Sequence, residues 1–212
     1  MFMLRRDLKR GLSAIKRGDK WKDTLKIFLC LIFHIFAQYT SNPRRFLSIK
    51  NRLIKGTIVK LWNIKYYLVD FDSFIITSPL YEREILPWIL KGLRNGATFV
   101  DIGAHIGRYS LLCAKIVGKN GKVIAIEPHS RSYKILLKNI KLNNFKNIIA
   151  MNIAAYDKSC KLRFYLDSVS PSRSTIKVEH GRPQCNITYV NARRLDDVMN
   201  ELGINNVDIV KI

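Results

Sequence analysis

The sequence has little of what marks secreted or membrane-spanning proteins. It contains four cysteines in 212 residues, and no C-x-x-C pair, so neither a disulfide framework nor a zinc site is expected. Its most apolar run, residues 27–37, has 11 residues, whereas a helix needs about 20 to span a bilayer. No small-x-small cleavage site follows that run, which argues against a secretory signal. We therefore expect a cytoplasmic protein with reduced thiols and no metal, either free or at the membrane periphery.

Acidic residues are also scarce. Sixteen Asp and Glu stand against 37 Lys and Arg, giving a formal net charge of +21, and the first sixty residues hold fifteen of the basic residues but only three acids. Such a segment is drawn to phosphate-rich surfaces such as nucleic acid or acidic lipid, yet it is equally typical of a solvated basic helix. We predict that residues 1–55 form a basic, partly apolar helical extension. Its apolar run is either buried in the fold or lies in a membrane interface.

Residues 56–212 are predicted to form one α/β domain. "TIVKLWNIKYYLVD" indicates a hairpin that turns at Asn63, "FIIT" a short strand, and "LYEREILPWILKGL" a helix divided or opened by Pro87. From residue 97, strands and helices alternate: "TFVDI", a helix from about Gly107 to Gly118, "KVIAIE", a helix capped by Ser130, and "NIIAMN". Continuously apolar strands that alternate with helices predict a doubly wound parallel sheet.

The later segments are less regular. The helix after Ser130 is expected to present one apolar stripe, consisting of Tyr133, Leu136, Leu137 and Ile140. "KLRFYL" alternates as an antiparallel strand does, and "ITYVNA" predicts another strand. "SVSPSRS" predicts a loop, "LDDVMNELG" a short helix closed by Gly203, and "VDIVKI" a strand. No internal repeat interrupts this order.

The stretch "FVDIGAHIG" places an acid and two glycines at the end of the first sheet strand. Ligands of doubly wound sheets bind at the carboxyl ends of the strands, where the next helix begins. We expect Gly103 and Gly107 to leave room for a nucleoside-like group and to expose backbone N–H donors, while Asp101 accepts hydrogen bonds from hydroxyl or ammonium groups. The alternative is a tight turn with a capping aspartate. His105 is expected to order this loop or to face solvent.

Glu127 ends the second sheet strand and lies 20 residues after Gly107, a distance at which an acid can bind ribose hydroxyls. The glycine motif and this acid together predict adenosine recognition. The pattern D-x-G-x-x-x-G departs from the G-x-G-x-x-G of dinucleotide sites, and Asp101 favours a cationic ligand. The sequence therefore predicts S-adenosylmethionine as the ligand in preference to NAD.

Four stretches together, "FVDIGAHIG", "VIAIEPHSRSY", "NIAAYD" and "RRLDDV…VDIVKI", resemble the FkbM family of S-adenosylmethionine-dependent methyltransferases over residues 81–212. The resemblance implies a class I, Rossmann-like methyltransferase fold, with "VDIVKI" beside the Asp101 strand. It also implies that Asp101, Gly103, Gly107 and Glu127 bind the cofactor, and that the activity is O-methylation of sugar or natural-product hydroxyls.

The resemblance stops where "VDIVKI" would continue, in that family, into an acidic segment containing glycine. We therefore expect a sheet that is incomplete at its C-terminal side, and we assign no catalytic base. Asp196 and Asp197 are expected to be acids of a helix start.

Three other functions remain open on the sequence. The first is an NAD-dependent dehydrogenase. The second is a basic membrane- or RNA-associated protein that keeps the fold without catalysis. RNA methylation lies between these and the methyltransferase of small molecules or glycans.

Overall fold

The computed structural model describes residues 16–37, 43–167 and 185–212. The chain forms two compact units that divide between Tyr81 and Glu82, whereas composition placed a boundary at residues 55 and 56. The difference arises because the segment after residue 56 is hydrogen-bonded to the first unit: Asp19 N donates to Ile58 O, and Lys60 N donates to Arg17 O. The loop predicted at residues 168–174 lies outside the described residues.

The described part of the first unit contains α1 (Trp21–Ala37), α2 (Pro43–Ile54), β1 (Ile58–Leu61), β2 (Ile64–Tyr67) and α3 (Phe71–Ile76). Strands β1 and β2 pair antiparallel, and Trp62 and Asn63 between them both have positive φ, as the tight turns favoured in hairpins require. The predicted hairpin is confirmed. Among the residues described, no helix combines the length and apolar character needed to cross a membrane.

Helix α1 contributes one face to the core of the first unit. Ile27 and Cys30 are fully buried, and burial raises the pKa of the Cys30 thiol to about 12. The apolar run is therefore partly buried in the fold, as one of the two sequence interpretations expected.

The segment "FIIT" belongs to helix α3, so the predicted strand is wrong. Asp70 Oδ1 accepts a hydrogen bond from Ser73 N at 2.8 Å, and Ser73 Oγ accepts one from Asp70 N at 3.2 Å. This reciprocal capping box satisfies two backbone donors at the helix start. It outweighs the strand preference of the Phe and Ile residues that follow.

The second unit contains two sheets, whereas the β1–β2 hairpin, which was also predicted to belong to the α/β domain, lies in the first unit. Its elements are α4 (Leu86–Gly92), β3 (Thr98–Ile102), α5 (Arg108–Val117), β4 (Lys122–Ile126), α6 (Ser130–Leu142), β5 (Ile148–Met151), β6 (Ala154–Ala155), β7 (Cys160–Asp167), β8 (Cys185–Arg193), α7 (Leu195–Glu201) and β9 (Ile209–Lys211). Four of its strands form a parallel sheet in the order β5-β4-β3-β9. The "VDIVKI" strand thus lies beside the Asp101 strand, as expected.

Apolar side chains cover both faces of the parallel sheet. One face of β3 and β4 carries Phe99 and Val123, which pack in a cluster with α4 and α5. The other face carries Val100 and Ile124, which pack in a cluster with α7. Burial on both faces explains why these strands are continuously apolar in sequence. The predicted Rossmann-like α/β fold is confirmed.

The remaining strands form a separate three-stranded sheet with the order β6-β8-β7. Strands β7 and β8 pair antiparallel over eight residues each, from Cys160 opposite Ala192 to Asp167 opposite Cys185. Both predicted strands are confirmed, although the sequence did not indicate that they leave the parallel sheet.

Helix α4 is shorter than the predicted helix. It begins at Leu86 with Pro87 in its first turn, where a missing N–H costs no helical hydrogen bond. Residues 79–85 form turns, so Pro87 opens the helix and does not divide it. The helix predicted from about Gly107 to Gly118 matches α5, for which these glycines are the caps.

Candidate functional site

Asp101 lies in β3 under the glycine loop and is 1% exposed. Its Oδ2 accepts a hydrogen bond from the Ser110 hydroxyl at 2.6 Å, and its Oδ1 lies 3.6 Å from Lys211 Nζ. Burial raises the pKa of the carboxyl, while the charge of Lys211 and the Ser110 hydroxyl act in the opposite direction. Asp101 thus receives the hydroxyl and ammonium partners expected of it, but from the protein's own side chains.

The start of the loop leaves open space at Gly103. Its φ is +75°, and a Cβ placed there would have no heavy atom within 4 Å. The N–H groups of Gly103 and Ala104 both donate to Ile126 O, at 2.9 and 3.0 Å. The expectation that Gly103 exposes its backbone donor is therefore wrong, because the sheet uses it. The expectation of free space at this position agrees with the geometry.

Gly107 has a different role from Gly103. A Cβ at this position would overlap Leu111 Cδ1 and lie 2.6 Å from Leu136 Cδ1. Its N–H donates to Ala104 O at 2.8 Å, and its φ of +90° makes it the left-handed cap of α5. The expected free space is absent here, because leucine side chains fill it. Gly107 lets α5 and α6 approach each other closely.

Glu127 joins the two loops at the carboxyl ends of β3 and β4. Its Oε2 accepts from His105 N at 2.7 Å, and its Oε1 accepts from His129 N at 2.8 Å. Burial raises the pKa of the carboxyl to about 7, although both backbone N–H groups lower it. Each oxygen keeps a second lone pair, so Glu127 can hold the loops and still accept a hydrogen bond from a ligand.

His105 orders the loop through its backbone, which is one of the two roles expected for it. It has a φ of +52°, a left-handed conformation that is uncommon for residues with a side chain. The hydrogen bond from its N–H to Glu127 supports that conformation. The acid therefore determines the path of the loop next to Gly103.

Helix α6 supports the same loop from below. His129, not Ser130, is the N-cap, since its Nδ1 accepts from Ser132 N at 3.1 Å. The predicted cap is one residue late.

Asn139 is fully buried and donates from Nδ2 to Ile106 O at 2.9 Å. The predicted apolar stripe also fails at Leu137, which is 43% exposed, because the buried face of α6 includes this asparagine.

Three residues at the site were missed by sequence reasoning. Lys211 and Ser110 contact Asp101, and Asn152 donates from Nδ2 to the carbonyl oxygens of Glu127 and Pro128, at 2.7 and 3.0 Å. The position of Asn152 directly after an apolar strand was a usable signal, since polar residues at strand ends meet at one edge of a parallel sheet. Lys211 had no local signal.

A cavity of about 230 Å³ adjoins this edge of the sheet. It is lined mainly by polar side chains: Ser130, Asn152, Lys161, Tyr189, Val190 and Asn191. The side chain of Asn152 therefore reaches both the strand end that carries Glu127 and this cavity.

The described parts of the chain contain no candidate metal site. Within them, no group of three or more His, Cys, Asp or Glu side chains can hold an ion. Of the four cysteines, Cys30, Cys113 and Cys160 are free thiols.

The family model of the FkbM methyltransferase domain matches residues 101–212 of this sequence, which is over half of its length. The chain belongs to this family. The match includes Asp101, both glycines and Glu127, as well as the separate β6-β8-β7 sheet.

Individual relatives overlap the chain in part. A probable cobalt-precorrin-6B C(15)-methyltransferase of Thermoplasma volcanium is 33% identical over 97 residues, covering 43% of this chain and 48% of the relative. Protein-L-isoaspartate O-methyltransferase 2 of Archaeoglobus fulgidus is 28% identical over 99 residues, covering 45% of each. A solved SAM-dependent methyltransferase of Aquifex aeolicus is 25% identical and covers 38% of this chain and 40% of its own, with a TM-score of 0.31. The chain spans about half the length of the curated relatives it matches.

Proposed function

We propose that the chain is an S-adenosylmethionine-dependent methyltransferase that methylates a hydroxyl oxygen of a sugar or natural product. The observation that carries the proposal is the position of the Glu127 carboxylate, buried beside the open space at Gly103. An acid directly after β4, at the carboxyl end of that strand, is placed to bind the two ribose hydroxyls of an adenosine ligand. Membership of the FkbM methyltransferase family supports the same conclusion.

The residues present fit the cofactor. A ligand can approach the backbone at Gly103, where a side chain would occupy the space. Glu127 can accept hydrogen bonds from the ribose, whereas the Asp101 carboxylate is paired with Lys211 and Ser110 and supports the loop from within the protein. When bound, S-adenosylmethionine supplies an electrophilic methyl group on its sulfonium sulfur. The chain's own contribution is to hold donor and acceptor in line, because methyl transfer depends mainly on positioning.

The cavity next to Asn152 supports a polyhydroxylated acceptor. Ser130, Asn191 and Lys161, whose side chains carry hydroxyl, amide and ammonium groups, line it together with Tyr189. Such groups can donate to and accept from sugar hydroxyls, and an aromatic ring offers an apolar face. The same groups suit a hydroxylated natural product.

Methyl transfer from radiolabelled donor tests the proposal. The 212-residue chain is incubated with labelled S-adenosylmethionine and, separately, a glycan pool, a set of hydroxylated small molecules, and total RNA. We expect base-stable label in the glycan or small-molecule fraction, and a loss of at least tenfold in Glu127→Ala. Label found in RNA alone would contradict the proposed acceptor. Binding of NAD in place of S-adenosylmethionine would contradict the proposed chemistry.

A further inference from the structure

Helix α1 carries apolar side chains on its solvent-facing side. Trp21, Leu25 and Phe28 are 71%, 47% and 46% exposed. They are spaced i, i+4 and i+7, so they share one face of the helix. We call these three residues the α1 apolar stripe.

The stripe is distinct from the face that α1 contributes to the core. Ile27 and Cys30 are fully buried within the first unit, and the side chain of Cys30 lies against Lys50 of α2. The helix is therefore held by one apolar side while a second apolar side faces solvent. Three large exposed side chains on adjacent turns form the kind of patch that marks an interaction surface.

The charges around the α1 apolar stripe are basic. Lys16, Lys20 and Lys22 are exposed, and Lys22 Nζ lies 5.6 Å from the centroid of the Trp21 ring. Lys26 lies on the next turn of the helix.

The two acids that the structure describes between residues 16 and 37 are turned inward. Asp19 forms ion pairs with Lys60 and Lys65, at 2.7 and 3.3 Å. Asp23 is 9% exposed and accepts hydrogen bonds from the backbone N–H groups of Lys20 and Ile58, both at 3.2 Å. The carboxylates are used to hold α1 to the hairpin, so they leave the positive charge beside the stripe in excess.

We propose that the α1 apolar stripe docks this protein on an anionic lipid bilayer, with the helix axis in the plane of the membrane. An apolar face bordered by lysines is the pattern of helices that lie at the boundary between headgroups and acyl chains. Trp21 at one end suits the interface, where an amphipathic ring is favoured. With 17 residues, α1 is shorter than the roughly 20 needed to span a bilayer.

The side chains of the stripe favour lipid over nucleic acid. Nucleic acid would engage the lysines through its phosphates and the aromatic rings by base stacking, but it offers no equivalent partner to Leu25. An acyl layer accommodates Leu25, Phe28 and the Trp21 ring together. The docked surface belongs to the first unit, so this inference stands independently of the methyl-transfer chemistry.

Co-sedimentation with vesicles tests the proposal on the full 212-residue chain. Vesicles of phosphatidylcholine alone are compared with vesicles that contain phosphatidylserine. We expect binding to the anionic vesicles, since a basic residue near such a surface contributes about fivefold to partitioning. Because this attraction is electrostatic, the binding should weaken as the salt concentration rises. The double variant Leu25→Ser, Phe28→Ser and the double variant Lys22→Glu, Lys26→Glu should each reduce binding at least tenfold.

Trp88 provides a matched control, because it is 76% exposed and lies in the second unit. Trp88→Ser should bind anionic vesicles as the wild type does, whereas Trp21→Ser should bind less. All variants change exposed or half-buried side chains, and circular dichroism should show wild-type folding. Equal binding by wild type and the Leu25, Phe28 variant would overturn the proposal. It would be overturned equally if that variant lost binding to RNA while its vesicle binding stayed intact.

Discussion

Lys211 Nζ lies 3.6 Å from Oδ1 of Asp101, and the two residues are register partners on neighbouring strands β9 and β3. The carboxylate is 1% exposed and the lysine side chain 17%. A residue from a strand 110 positions later in the chain therefore compensates the charge beneath the glycine loop. Removing one partner of a buried pair leaves an uncompensated charge, which costs more than the pair contributes.

Lys211→Met should lower the free energy of unfolding by about 3 kcal/mol. The loss should be smaller at low pH, where Asp101 is protonated and needs no cation. Urea unfolding of the wild type and the variant measures both effects. Lys122→Met, which removes an exposed lysine from β4, is the control. If both variants lose the same stability, the pair has no special role.

The two glycines should separate ligand binding from folding. Gly103→Ala places a Cβ in open space, and its main effect should be to weaken S-adenosylmethionine binding. Gly107→Ala places a Cβ against Leu111 and Leu136, so it should lower stability by about 1–3 kcal/mol more than Gly103→Ala, because overpacking adds to the strain of positive φ that both share. Calorimetry and urea unfolding of both variants give the comparison. A larger loss of stability in Gly103→Ala than in Gly107→Ala would contradict this assignment of the two roles.

Much of this site could be predicted from the sequence because its residues follow apolar strands. Asp101 and Glu127 each close a continuous apolar run, and such runs identify strands that are buried on both faces. The partner of Asp101 could not be predicted in this way, because Lys211 comes from a strand 110 residues away. The role of Gly107 was misassigned because the sequence does not show whether the space beside a glycine is filled by a ligand or by a leucine side chain. Helix α3 was missed because one capping box outweighed local strand preference.

Glu127→Ala should weaken S-adenosylmethionine binding by roughly 1–3 kcal/mol, the range for leaving buried hydrogen-bonding groups unmatched. Part of this loss would come from the loop, since His105 N and His129 N lose their acceptor. Ligand analogues isolate the ribose contribution. Wild type should bind adenosine more tightly than 2′,3′-dideoxyadenosine, and the preference should vanish in Glu127→Ala. Equal affinity of wild type for the two nucleosides would remove the ribose role from Glu127.

The Glu127 carboxyl should also make stability depend on pH. Its pKa is raised from 4.5 to about 7 by burial, so the folded protein holds this proton more tightly than the unfolded chain. The resulting stabilisation is complete below about pH 4.5 and is lost as pH rises through about 7. Relative to Glu127→Gln, which cannot titrate, the wild type should therefore lose about 3 kcal/mol between those limits. Urea unfolding at pH 4.5, 6 and 7.5 tests this. Parallel pH curves for the two proteins would contradict the account.

In our proposal, Gly103 and Glu127 form an adenosine site for a methyl donor. Isothermal titration of the 212-residue chain with S-adenosylhomocysteine and, separately, with NAD tests it most directly, with Gly103→Val and the exposed-site variant Trp88→Ser measured alongside. We predict saturable binding of S-adenosylhomocysteine by wild type and Trp88→Ser, none by folded Gly103→Val, and no heat from NAD. Unchanged affinity in folded Gly103→Val, or binding of NAD in preference to S-adenosylhomocysteine, would contradict the claim.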